Sequence, residues 1–107
     1  MGMLSKKSDI GMATKIKELT AAFLSLKTQE EMAAFLKDIC TPNEISALAE
    51  RWQVAGLLAE NKYTYREISQ MTGASTTTVG RVARFLFSEN NKGYWVVLNR
   101  LQQEKKE

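Results

Sequence analysis

The 107-residue sequence contains no histidine and only one cysteine, and these two shortages remove whole classes of chemistry. Histidine is the commonest general base and metal ligand. Without it, the single Cys40 leaves no zinc site, and one cysteine permits no disulfide within the chain. No pair of carboxylates stands apart from the solvated ones. We therefore expect neither an enzyme nor a metal or other cofactor.

Long hydrophobic runs are also missing. No apolar stretch approaches the roughly 18 residues that a membrane span requires, and no secretory signal pattern is evident in the first residues. The sequence therefore predicts a cytoplasmic protein with no membrane partner. A single proline, Pro42, and the lack of an alternating strand pattern favour a helical chain throughout.

Apolar residues recur at spacings of three and four, which predicts six α-helices. Helix starts are marked by Thr41 followed by Pro42, by a capping box from Thr64 to Glu67, and by Ser75. The predicted helices are Thr14–Leu26, Gln29–Ile39, Pro42 to about Asn61, Tyr65–Met71, Thr76–Phe87 and Tyr94–Gln103. Their predicted inward residues include Ile16, Leu19, Leu48, Trp52, Val97 and Leu101.

The net charge of +3 is concentrated in one short segment. Residues 61–87 carry four Lys/Arg against one Asp/Glu, whereas the rest of the chain carries eleven of each sign. A basic excess confined to one segment is typical of a nucleic-acid contact surface. A chance basic face is the alternative interpretation.

The same segment has the pattern of a helix-turn-helix over residues 64–87. Ser69 is small where the second helix would cross the first, and Gly73 tolerates the left-handed backbone of the turn. The residues expected between the two helices, Ile68, Ala74, Val79 and Val82, are all apolar. A generic helical hairpin is the alternative.

The second helix of this motif separates into two faces at about 100° per residue. Its apolar face is predicted to hold Val79, Val82, Ala83 and Leu86. Its outer face is small, hydroxylated and basic, so it can approach base edges and phosphates closely. Arg66, in the first helix, is placed to contact the phosphate backbone. The residues predicted to contact DNA are Tyr65, Arg66, Ser75, Thr76, Thr77, Thr78, Gly80, Arg81 and Arg84.

Three stretches resemble the Trp repressor family: TPNEISALAER from Thr41, YREI from Tyr65 and GASTTTVGR from Gly73. The wider pattern is similar to the YerC/YecD branch of that family. The resemblance implies a bacterial, nucleoid-associated regulator, acting as a repressor, whose six helices form one domain in an intertwined homodimer. It implies a dimerisation scaffold over residues 11–61 and 94–103 and a DNA-binding head over 64–87. Residues 1–10 are expected to be a disordered lead-in.

The resemblance also implies a pocket for an effector between two arginines, here Arg51 and Arg81. Family members that bind tryptophan have a small residue after the second arginine, whereas this sequence has Val82, and Phe85 follows within a turn. We expect these two side chains to fill the space, so that tryptophan is not a co-repressor. A smaller carboxylate between the arginines is one alternative, and a surface salt bridge of Arg51 is another.

Three functions remain open from the sequence. The first is a dimeric regulator that recognises an operator in double-stranded DNA. The second is a DNA-binding subunit of a larger machine, such as a transposase or initiator, or a nucleoid protein indifferent to sequence. The third is an interaction module that no longer binds DNA. The arginines beside the hydroxyl-rich helix favour the first.

Overall fold

The computed structural model describes residues 9–106, which form six α-helices and no β-strand within that range. They are α1 (Met12–Ser25), α2 (Gln29–Ile39), α3 (Pro42–Glu60), α4 (Tyr65–Thr72), α5 (Thr76–Phe87) and α6 (Gly93–Lys106). The all-α, six-helix prediction is confirmed. The predicted lead-in lies outside the described residues as far as residue 8.

The helix ends follow local signals in the sequence. The bounds of α2 and α5 and the first residues of α3 and α4 are those predicted, and the remaining ends differ by one to three residues. In α4, Thr64 and Glu67 form a reciprocal capping box, and Ser75 caps α5 by accepting the N–H of Thr78 at 3.1 Å. Residues 26–28 connect α1 to α2, and Thr28 caps α2 because its hydroxyl accepts the N–H of Glu31 at 3.0 Å.

The described residues fall into two compact units, one ending at Thr41 and the other beginning at Pro42. The first unit contains α1 and α2, where the rings of Phe23 and Phe35 meet edge to face at a centroid distance of 5.4 Å. Neither helix has a fully buried residue. The single domain, and its division into scaffold and head, stay predictions.

The second unit has an apolar core built by α3, α4 and α5. Its buried residues are Val54, Ala55, Leu58, Ile68, Ala74, Val79, Val82, Ala83 and Leu86. Helix α6 packs on this core through Tyr94, Trp95 and Leu98. The indole N–H of Trp95 donates to the carbonyl of Leu86 at 2.7 Å, so the end of α5 is tied to α6.

Several apolar residues predicted to face inward are exposed within their own unit. In the second unit, Leu48, Trp52, Val97 and Leu101 have exposed fractions between 36% and 45%. In the first unit, Ile16 is 52% exposed and Leu19 38%. The periodicity identified the apolar faces, but neither unit covers them with its own residues. Within residues 9–106, no helix has both the length and the apolar character to span a membrane.

Candidate nucleic-acid interface

The turn between α4 and α5 is fixed by backbone geometry and three hydrogen bonds. Gly73 has φ +84°, the left-handed conformation that glycine adopts without steric cost. The hydroxyl of Ser69 donates to the carbonyl of Ala74 at 2.6 Å, and that of Thr72 donates to the carbonyl of Ile68 at 2.8 Å. The N–H of Ala74 in turn donates to Thr72 Oγ1 at 3.1 Å. These bonds set the angle at which α5 leaves α4.

The contact between the two helices is made by the apolar residues that the motif predicted. Ile68 and Val79 are fully buried, and Ala74 and Val82 are at most 2% exposed. The buried residues of α5 are Val79, Val82, Ala83 and Leu86, as expected from the helical period. The helix-turn-helix geometry of residues 64–87 is therefore present, and the opposite face of α5 lies at the surface.

The outer face of α5 presents Thr76, Thr77, Arg81 and Arg84 as exposed residues. Within residues 9–106, the hydroxyls of Thr76 and Thr77 take part in no hydrogen bond. Their donors and acceptors, like the Nη groups of the arginines, are therefore available to a partner molecule. This is the surface chemistry that base edges and phosphates require.

Ser75 and Thr78 have a different position from their two neighbours. The Ser75 hydroxyl accepts the N–H of Thr78 as the helix cap and donates to Thr78 Oγ1 at 3.1 Å. Thr78 is also half-buried. Both hydroxyls are thus engaged within the protein, so a DNA contact by either would have to share or replace these bonds.

The ring of Tyr65 in α4 lies beside Gly80 in α5. If residue 80 were alanine, its Cβ atom would lie 3.9 Å from Cε2 of Tyr65, in ordinary van der Waals contact. The exposed ring of Tyr65 therefore lies beside the middle of α5, at the edge of its outer face. Arg66 is the next residue of α4 and is exposed.

Arg81 and Arg84 share an aromatic neighbour. The guanidinium carbon of Arg81 lies 5.1 Å from the centroid of the Phe85 ring, and that of Arg84 lies 5.6 Å from it. Arg84 also donates through Nε to the Glu89 carboxylate at 2.9 Å. Sequence reasoning missed Glu89, because it lies five residues from Arg84 and beyond the end of α5, outside the helical i+3 and i+4 spacings.

The residues expected around an effector do meet in one place. A cavity of about 470 Å³ is lined by Arg51, Trp52, Arg81, Val82, Phe85, Asn91, Gly93, Tyr94 and Val97. Val82 and Phe85, which were expected to fill this space, are among the residues that line it. Val82 is only 1% exposed and packs into the core, and the ring of Phe85 lies against the arginines of α5. Both residues therefore line the cavity without closing it.

Comparisons with known proteins agree with this geometry. The family model described as Trp repressor protein matches residues 14–102. The chain is 42% identical to the uncharacterised protein YerC of Bacillus subtilis (strain 168) over 93 residues, which is 87% of this chain and 88% of that protein. A TrpR-like protein of Eubacterium eligens ATCC 27750 has a solved structure that matches with a TM-score of 0.77 and 44% identity, covering 82% of this chain and 89% of that one. A structure from Staphylococcus aureus matches with a TM-score of 0.76 and 42% identity, covering 82% of this chain and 86% of that one.

Proposed function

This chain belongs to the Trp repressor family, a family of DNA-binding regulators, and we propose that it binds specific operators in double-stranded DNA as a homodimer. The outer face of α5 carries this proposal: its exposed threonine and arginine groups lie on a helix whose opposite face is anchored in the core. In helix-turn-helix proteins the second helix enters the major groove in this orientation. Operator binding in the cytoplasm would repress transcription without any catalytic step.

The homodimer is supported by apolar surface on the second unit. Leu48, Trp52, Val97 and Leu101 are large apolar side chains that are more than a third exposed. Full burial of an apolar side chain from water is worth about 1.5–3 kcal/mol, and covering these residues would add the share that belongs to their remaining 36–45% of exposed surface. A second copy of the chain would cover these side chains. The dimer would then have two DNA-binding heads, which could bind the same duplex.

We propose further that operator binding does not require tryptophan. The guanidinium carbon of Arg81 already lies 5.1 Å from the centroid of the Phe85 ring. A tryptophan that approached Arg81 from the same side would displace this contact, which at an exposed site is worth about 0.5–1 kcal/mol. The cavity itself is open, and a smaller carboxylate remains the alternative occupant because two guanidinium groups line it.

These proposals are tested by selecting bound sites from a random duplex library. The selection is done with and without L-tryptophan at about 1 mM, a concentration equal to the Kd of a weak binding site. We expect one two-fold symmetric sequence, with half-sites about one helical turn apart, and the same sequence and affinity in both arms. Binding without any enriched sequence would indicate a nucleoid protein indifferent to sequence. No binding would indicate an interaction module, and tighter binding with tryptophan would contradict effector independence.

Arg66→Ala is expected to weaken binding to all duplexes by a similar factor, because a phosphate contact carries no sequence information. The slope of log K against log salt should become shallower by about one unit for each head that loses its contact. Thr77→Ala is the matched comparison on α5, and it should change which sequence is preferred. An Arg66→Ala variant with unchanged affinity and salt slope would rule out the phosphate contact.

A further inference from the structure

Glu89 is joined to Arg84 by two bonds at the end of α5. Its carboxylate oxygen Oε2 accepts from Arg84 Nε at 2.9 Å, and its backbone N–H donates to the Arg84 carbonyl at 3.0 Å. The side chain of Arg84 is 67% exposed and that of Glu89 35%. Glu89 is therefore held close to an arginine of the outer face, in a position that solvent and a macromolecular partner can both reach.

Arg81 and Arg84 both lie beside the ring of Phe85, and Glu89 is paired with Arg84. The ring of Phe85 lies within 5.6 Å of both guanidinium carbons, so Arg81 and Arg84 are near each other although they carry like charge. Among residues 9–106, ion pairs occur only between Arg84 and Glu89 and between Lys62 and Glu60. The Glu89 carboxylate is thus the only anion paired to the outer face of α5 in that part of the chain.

A carboxylate and a phosphate bind a guanidinium group in the same manner, through charge-assisted N–H bonds. The Nε–H of Arg84 is engaged by Glu89, whereas its Nη groups are free within residues 9–106. A phosphate that approaches Arg84 therefore either replaces the Glu89 carboxylate at Nε, or binds the Nη groups beside a negative charge that repels it.

We propose that Glu89 sets the affinity of this protein for DNA by competing with a phosphate for Arg84. The inference rests on the proposed DNA binding and adds to it an internal anion that opposes the contact. Because phosphate contacts are made with any sequence, Glu89 lowers the affinity for all duplexes without changing which one is preferred.

Glu89→Gln tests this competition with little change of shape. Removing an exposed ion pair of this kind is expected to tighten binding to the selected duplex and to an unrelated one by the same factor, roughly two- to fivefold. The preferred sequence should stay the same. Glu60→Gln is the matched control, because it also removes one negative charge and one exposed ion pair, with Lys62 at 3.5 Å. We expect it to leave the affinity unchanged.

The decisive measurement is the same substitution in an Arg84→Ala background, where Glu89→Gln should have no effect on affinity. An equal effect in both backgrounds would mean a general charge effect and would overturn the proposal, as would unchanged or weaker binding of the single variant. These results would leave the proposed function intact. Absence of duplex binding by the unmodified protein would instead overturn the proposed function and this inference together. Thermal melting of each variant verifies that it is folded.

Discussion

Val97→Glu is expected to make the protein a monomer at micromolar concentration and to weaken operator binding by about a hundredfold or more. Val97 is 45% exposed on α6, and Leu101, one turn along the same helix, is 43% exposed. A carboxylate placed in an apolar subunit interface loses its hydration, which costs free energy. The affinity would fall because a monomer has one DNA-binding head, whereas a dimer has two and binds both half-sites of one duplex.

Val96 provides the matched control for this substitution. It is the preceding residue of α6, it has the same exposed fraction of 45%, and it lies off the apolar stripe that contains Val97 and Leu101. Val96→Glu should therefore remain a dimer in sedimentation velocity and keep its affinity. If Val97→Glu sediments as a dimer while retaining its helical circular dichroism, then α6 does not form the interface in the way proposed.

Ile68→Ala is expected to lower the free energy of unfolding by about 2–5 kcal/mol. Ile68 has no exposed surface and lies in the core that α3, α4 and α5 share. Its removal leaves a cavity under the turn that orients α5. Natural domains have only about 5–15 kcal/mol of stability in total, so the loss should shift the midpoint of urea denaturation markedly.

Met71→Ala is the matched control for this effect. Met71 lies on the same helix and is 55% exposed, so its truncation should cost less than about 0.5 kcal/mol, as for other surface substitutions. Equal losses for the two variants would contradict the assignment of Ile68 to the core.

The bounds and the buried face of α5 were well predicted because their determinants are local. The bounds of α5, its four buried residues and the left-handed turn at Gly73 all follow from spacings of one to four residues. Such spacings decide which side of a helix is apolar and where a cap or turn is required. The same signals placed Thr76, Thr77, Arg81 and Arg84 on the exposed face.

Features that depend on several elements were harder to predict. The open cavity depends on which way Val82 and Phe85 turn, and helical period alone does not tell whether a bulky residue fills a space or lines it. Glu89 reaches Arg84 only because the chain leaves the helix after Phe87. The exposed stripes on α3 and α6 show a further limit, since periodicity identifies an apolar face without identifying what covers it.

The turn between α4 and α5, which Ser69, Thr72 and Gly73 stabilise, does not depend on the outer face of α5. The angle between α4 and α5 is held by hydrogen bonds to backbone carbonyls and by buried side chains, and none of these belongs to the outer face of α5. Thr76 and Thr77 can therefore change without disturbing the support beneath them. Under the proposed function, substitutions at these two positions change the DNA sequence that is bound while the framework stays the same, so target sites can diverge faster than the fold.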